Sequence, residues 1–205
     1  MYLSRIKLNT QIRNTLKLFN SQQVAHAAIE GAFGENGSGR KLWRLDYYKG
    51  QPYILLLSPE RPDLTSFIAQ FGYADAPAEI KNYQKVLDAV ENGDVYKFRL
   101  TANPVHSIKK EDKDRGKIYP HVTVAQQEEW LRLKSTKNGF KLHDFAVVYR
   151  ERKRFRRQDR YVSISMATYE GVLEITDAEA FKKALTDGIG RAKSYGCGLL
   201  TLARL

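Results

Sequence analysis

The sequence predicts an α+β protein built from two βαββαβ units in tandem, and three observations carry that prediction. The chain has 205 residues, room for two domains of about 100 residues each. Its apolar residues, 42% of the total with aromatics making up 11%, recur with period two in some stretches and near 3.6 in others, as in half-buried strands and amphipathic helices. Those stretches run through the same order twice, although no sequence identity marks the two halves as a repeat. The expected division is residues 1–90 and 91–205.

In the first half, YLSRIKLN places Tyr2, Ser4, Ile6 and Leu8 on one face and reads as a strand. A helical stretch follows and takes in SQQVAHAAIEGAF at 21–33, before Gly31, Gly34, Gly37 and Gly39 break the chain. KLWRLDYY and PYILLLS read as a strand pair turned through Lys49-Gly50-Gln51-Pro52. PERPDLTSFIAQFG reads as a short helix with Asp63 placed to cap its start and Gly72 near its end, and residues 78–84 supply the fourth strand.

The second half repeats the rhythm. VYKFRLTANPV alternates as a strand, VTVAQQEEWLRLKST is an amphipathic helix ending before Asn138-Gly139, and FKLHDFAVVYR and YVSISMATYEGVLEIT are strands. DAEAFKKALTDG is a helix capped by Asp177 and ended by Gly188, and LLTLARL is the last strand.

Charge points to the partner. Thirty-four Lys and Arg against 23 Asp and Glu give a net charge of +11 and a pI near 9.6, the balance of a protein that meets a polyanion. About half of that net charge sits in RERKRFRRQDR at 150–160, where Arg150, Arg152, Lys153, Arg154, Arg156, Arg157 and Arg160 face only Glu151 and Asp159. Flanked by strands, this run forms an extended arm or hairpin. Its cations repel one another without a partner, and arginine suits bidentate contact with phosphate and guanine edges, so nucleic acid fits it better than a merely solvated loop.

Other function classes lose ground. A mean hydropathy of −0.50 and the lack of any run near the ~18 apolar residues of a membrane span argue for a soluble protein. MYLSRIKLNTQIRN carries no apolar signal-peptide core, and the single cysteine, Cys197, permits no intrachain disulfide, so a cytoplasmic location is expected. GENGSGRK at 34–41 approaches a P-loop, but Arg40 stands at the required lysine, Lys41 at the Ser or Thr, and a strand follows where a helix is needed. His26, His106, His121 and His143 show no metal-ligand spacing. GIGRAKSYGCG at 188–198 does not fit a dinucleotide fingerprint. It is either a flexible connector or a loop whose amides, with Arg191 and Lys193, hold a phosphate backbone. On its helix His26 lies just past the apolar arc of Val24, Ala25, Ala28, Ile29, Ala32 and Phe33. Taken locally, it reads more readily as a structural or surface histidine than as a catalytic one.

Several stretches in order change that weighting. MYLSRI at the start, HAAIEGAF at 26–33, LWRLD at 42–46, FRLTANPV at 98–105, YEGVLEI at 169–175 and above all GIGRAKSYGCGLLTLA at 188–203 resemble the CasE-type CRISPR RNA endoribonucleases of the type I-E Cascade complex, members of the RAMP superfamily. The resemblance spans the chain. It implies two tandem ferredoxin-like, RRM-like domains and metal-independent cleavage of precursor RNA at the 3′ base of the repeat stem-loop, with no cofactor. In that chemistry the 2′-hydroxyl attacks the adjacent phosphate, leaving a 2′,3′-cyclic phosphate and a 5′-hydroxyl. The implied partners are the CRISPR repeat stem-loop and the other Cascade subunits, with the basic hairpin in the major groove of the stem. The family's catalytic histidine falls on His26, as base or acid. Many relatives carry a tyrosine three residues earlier, where this chain has Gln23, an amide that can hydrogen-bond a phosphate oxygen but has no acidic proton to give. Either His26 works with a cation such as Lys41 or Lys193 that stabilises the phosphorane, or this member cleaves slowly; a tyrosine from another strand, such as Tyr47, is a further candidate to stand in for the missing one. Two alternatives stay open on the residues: a non-catalytic repeat-RNA-binding subunit of the same fold, and a DNA- or ribosome-binding protein that uses only the basic arm.

Overall fold

The computed structural model describes residues 1–34, 37–108 and 116–205. Glu35 and Asn36 of the P-loop-like stretch lie outside the described residues. The first half runs β1 (Tyr2–Lys7), α1 (Arg13–Asn20), α2 (Gln22–Glu30), β2 (Leu42–Tyr48), β3 (Gln51–Ser58), α3 (Thr65–Phe71), β4 (Glu79–Asn82) and α4 (Gln84–Asp88). The second runs β5 (Val95–Ala102), β6 (Val105–Ile108), β7 (Lys117–Pro120), α5 (Val124–Lys137), β8 (Phe140–Arg157), β9 (Arg160–Ile175), α6 (Ala178–Asp187) and β10 (Leu200–Ala203).

Two four-stranded antiparallel sheets form, in the orders β2-β3-β1-β4 and β10-β5-β9-β8. In both, the first and third strands of the βαββαβ unit are central and the second and fourth are edges. This is the tandem ferredoxin-like arrangement that the resemblance implies.

Local chemistry accounts for the elements. Lys49 and Gly50, at φ 50° and 76°, close the β2–β3 hairpin in two residues, the left-handed pair that matches strand twist. Thr123 and Gln126 form a reciprocal capping box at the start of α5. The single expected helix before Gly31 is two helices, because Ser21 is extended (φ −139°, ψ 109°) and its hydroxyl accepts from Val24 N. The α4 turn and the β6–β7 hairpin were not expected: α4 has only five residues, too few to show a period, and β6 and β7 have four each.

Two cores fill the halves. Ile6, Leu8, Leu18, Ile29, Trp43, Ile54, Leu56, Phe67 and Phe71 pack α1, α2 and α3 on the first sheet. The other core joins Leu100, Trp130, Phe140, Tyr169, Leu173 and Phe181 to Leu42, Leu57, Tyr83 and Leu87 from the first half. A buried polar knot reinforces that seam. Arg44 binds both carboxylate oxygens of Asp46 at 2.7 Å and donates to Arg99 O (2.9 Å), Leu199 O (3.0 Å) and Thr201 Oγ1 (2.8 Å). With its donors satisfied, the guanidinium is tolerated at 2% exposure.

Candidate active site and nucleic-acid interface

Ala25 and Ile29 anchor α2 in the core, which turns Gln23, His26 and Glu30 to the neighbouring face at spacings of three and four residues. His26 is a quarter exposed, with Nδ1 3.7 Å from Glu30 Oε1. The other Glu30 oxygen takes an ion pair from Lys41 Nζ at 2.9 Å. Lys41 also donates to Gly37 O (3.1 Å) and lies over the Phe33 ring. Its side chain is only 6% exposed, so its charge is committed to Glu30.

The second half reaches this face through one 3-10 turn, Lys193–Tyr195, held between left-handed Ala192 (φ 62°) and Gly196 (φ 83°). Trp43 Nε1 donates to Ser194 O at 3.2 Å. A Cβ at position 196 would sit 3.0 Å from the Trp43 ring, so glycine allows both the left-handed turn and the close approach. The Tyr195 ring meets His26 edge-on at 5.9 Å and packs on Phe155 at 4.8 Å. Its hydroxyl donates to Gln23 Oε1 at 3.4 Å. Phe155, Ile164 and Cys197 form the buried cluster under it. Burial pushes the Cys197 thiol up to about 12, so it is inert as a nucleophile.

Across Glu30 from His26 lies a cleft of about 460 Å³ lined by Glu30, Arg40, Lys41, Asp187, Lys193 and Ser194. Lys193 is held below the ordinary lysine range, first by burial and then by the like charge of Arg40 and Lys183, with Asp187 opposing. Two cations crowded in a partly dry cleft favour an anion.

The glycine-rich stretch itself is packing rather than a flexible connector. The amides of Ile189, Tyr195 and Gly198 are spent on Gly198 O, Ala192 O and Thr101 O. Arg191 is exposed and its backbone bridges to Asn103.

The basic run is strand throughout. β8 and β9 pair up to Arg157 and Arg160, across a turn in which Gln158 takes φ 51°. Arg150, Arg152, Arg154 and Arg156 alternate on the exposed face. Arg154 lies over Tyr161, and Arg156 bonds Gln158 O and Asp159 at the tip. Arg157 and Arg160 flank the turn, exposed. Lys153 is different: it points to the first half, ion-paired with Glu151 and donating to Phe19 O.

The structure therefore gathers His26, Gln23, Lys41 and Lys193 at one place, and the arginines on an adjacent arm joined to it through Phe155. It adds Glu30, Arg40 and Tyr195. Glu30 was legible as the residue four after His26, whereas Tyr195 and Arg40 sit inside quoted motifs with no local mark. Tyr47 does not reach His26; it lines a separate cleft of about 540 Å³ between the halves with Phe19, Trp43, Arg99 and Tyr149. Among the described residues, no group of three or more His, Cys, Asp or Glu side chains is arranged to hold a metal ion, and no helix is long and apolar enough to cross a membrane.

The family of CRISPR associated proteins matches residues 1–204. The chain belongs to that family. Two relatives within this CRISPR-associated group cover nearly all of it or most of it. The CRISPR-associated endoribonuclease Cse3 of Thermus thermophilus is 26% identical over 220 aligned positions, covering 99% of this chain and 100% of the relative. The CRISPR system Cascade subunit CasE of Escherichia coli K12 is 30% identical over 191 positions, covering 80% and 96%. Solved structures share the fold end to end. Thermus thermophilus Cse3 bound to an RNA representing a pre-cleavage complex superposes with a TM-score of 0.84 at 24% identity over 98% of both chains. Cas6e of Escherichia coli K-12 gives 0.71 at 26% identity over 100% of both.

Proposed function

We propose that this chain is a metal-independent endoribonuclease that cuts CRISPR precursor RNA at the base of the repeat stem-loop and stays on the mature guide RNA as a Cascade subunit in the cytoplasm. The observation that carries this reading is the meeting of the His26 face with the Lys193–Tyr195 turn beside a cationic cleft. A histidine for proton transfer and cations for a phosphate meet at one place, and an arginine-faced arm for a duplex is joined to it through Phe155. Imidazole titrates nearest neutral pH of all side chains, and such proton transfer contributes about 10²- to 10⁴-fold in rate.

The roles divide as follows. His26 moves a proton at the 2′-hydroxyl, which attacks the adjacent phosphorus as the bond to the 5′-oxygen breaks. Lys193 and Arg40 stabilise the charge on the phosphorane oxygens. Glu30, held by Lys41, lies on the Nδ1 side of His26 and leaves Nε2 for RNA. Residues 1–90 thus supply the catalytic helix and residues 91–205 the grip. In that grip Arg150, Arg152, Arg154, Arg156, Arg157 and Arg160 hold the stem-loop, Arg191 adds a peripheral phosphate contact, and Lys153 braces the arm against the first half.

The test is single-turnover cleavage of the repeat hairpin in EDTA. His26→Ala is expected to lose at least about 10²-fold in rate with unchanged affinity for a hairpin carrying a 2′-deoxy at the scissile nucleotide. Equal rates for the two proteins sink the His26 assignment, and a requirement for Mg²⁺ sinks the mechanism. A non-catalytic RNA-binding subunit is the second reading, favoured by Gln23, whose amide has no proton to transfer. Tight binding with no cyclic-phosphate product selects it.

A further inference from the structure

We propose that Tyr195 is a second catalytic residue, donating its phenolic proton to the departing 5′-oxygen while His26 takes the proton of the 2′-hydroxyl. The inference rests on the endoribonuclease reading and deepens it. The reaction breaks the 2′-O–H and P–O5′ bonds and forms the 2′-O–P and 5′-O–H bonds, so one proton must leave and another must arrive. Attack and departure lie on opposite sides of the phosphorus in an in-line displacement, which one fixed imidazole serves poorly. Phenol and imidazole then exchange protons with solvent and return to their starting states.

Among the described residues, the neighbours of His26 narrow the choice. Gln23 carries only amide hydrogens. Glu30 is tied to Lys41, and Lys41 is buried on Glu30 and Gly37. Lys193 lines the cleft with Arg40 and Asp187, where its charge serves the phosphate. Tyr195 is the group whose ring touches His26 and whose hydroxyl reaches Gln23 Oε1, one helical turn from His26. A phenol offers an O–H to donate, whereas an imidazole offers a ring nitrogen that can accept a proton, which assigns donor to Tyr195 and acceptor to His26.

The setting of the side chain also favours this role. Its ring is fixed by Phe155, by Trp43 holding Ser194 O, and by left-handed Ala192, an unusual conformation for a residue other than glycine. A phenylalanine would fill that packing as well. The hydroxyl adds only a polar tip on the His26 face, and its 3.4 Å bond to Gln23 is long enough to yield to an RNA oxygen. Gln23 thus becomes the acceptor that aims the phenol.

The decisive experiment compares wild type, Tyr195→Phe and His26→Ala on two hairpins, one natural and one with sulfur replacing the bridging 5′-oxygen at the scissile bond. A thiolate leaves without protonation. On the natural RNA, Tyr195→Phe is expected to cleave about 10²-fold more slowly at saturation, with unchanged affinity for the 2′-deoxy hairpin. On the sulfur RNA it is expected within about threefold of wild type, while His26→Ala stays slow. Wild-type cleavage of the natural RNA by Tyr195→Phe overturns the inference, and so does an equal defect on both RNAs, which makes Tyr195 a packing residue only. If His26→Ala matches wild type on both RNAs, the His26 assignment falls and the inference with it; if wild type leaves the natural RNA uncut, the endoribonuclease reading itself falls.

Discussion

The two halves share one strand order and spend their charge in opposite ways. In the first half, two cations are paired and hidden, Arg44 on Asp46 and Lys41 on Glu30 beside the His26 helix, each cationic side chain under a tenth exposed. On the second half, the arm leaves Arg150, Arg152, Arg154 and Arg156 exposed in alternation along β8. A paired, buried cation fixes geometry, whereas an exposed one waits for a polyanion. The same fold thus holds a fixed, charge-paired face around His26 in one copy and an exposed cationic arm in the other, with Tyr195 carried from the second onto the first.

The widest break in this comparison is to empty the arm. Arg152, Arg154 and Arg156 changed together to Ala are expected to weaken hairpin binding by about 10²- to 10³-fold and to make the log–log salt dependence shallower by about one per arginine that meets a phosphate. Single-turnover rate at saturating protein is expected to hold within a few-fold. A large loss of saturated rate in this variant would mean that grip and chemistry are not divided between the halves. Titrations of the 2′-deoxy hairpin at several salt concentrations provide the check.

Next comes the seam. Arg44→Met leaves Asp46 with the weaker 3.4 Å ion pair to Arg99 Nε and removes donors from Arg99 O and Leu199 O. Breaking a buried ion pair costs about 3–5 kcal/mol, here toward the lower end because Arg99 remains beside Asp46, and a chain of this length loses about 2–4 °C in Tm for each kcal/mol. Calorimetry is expected to find the melting point lowered by about 10 °C. Two separate transitions would show that the halves then melt independently, and an unshifted melt would show that the shared apolar core alone holds them together.

Sequence reasoning reached different depths in the two halves for physical reasons. Strand period and turn residues are local, so β1 to β3, α5, α6 and the β8–β9 hairpin were legible, down to Lys49-Gly50 and Asp177. Elements of four or five residues carry too few positions to show a period, which hid α4, β6 and β7. Ser21 is equally at home capping a helix or lying within one, and the break between α1 and α2 went unseen. The site divides the same way. Glu30 stands one helical turn from His26 in the sequence itself, but Tyr195 reaches His26 only because Trp43 and Gly196 bring a distant turn across the seam. Lys41 looked like a phosphate ligand until its burial on Glu30 was known. The alternation that turns Lys153 away from the arginine face was readable once residues 150–157 were taken as strand rather than loop.

The smallest effect separates the cleft's lysine from the arm's arginines. Burial and the nearby Arg40 and Lys183 hold Lys193 below the ordinary lysine range, so its ammonium is lost at a lower pH than that of an exposed lysine. The sign follows from the charge. RNA affinity is expected to weaken as pH rises through that lowered value, by the few-fold attached to a single phosphate contact. The arm does not contribute to this trend, since arginine keeps its charge throughout. Lys193→Arg is therefore expected to flatten the affinity profile on the alkaline side without changing neutral-pH binding by more than a few-fold. The same shift makes the charged form a burden on the free protein at neutral pH, because a depressed lysine pKa means that folding disfavours the ammonium, and that burden fades as pH rises from the lowered value to the ordinary lysine value. A bound phosphate offsets it by favouring the charged form. RNA binding is accordingly expected to take up protons in the mildly alkaline range in wild type and not in Lys193→Arg, a difference that calorimetric titration in buffers of different ionisation enthalpy measures directly.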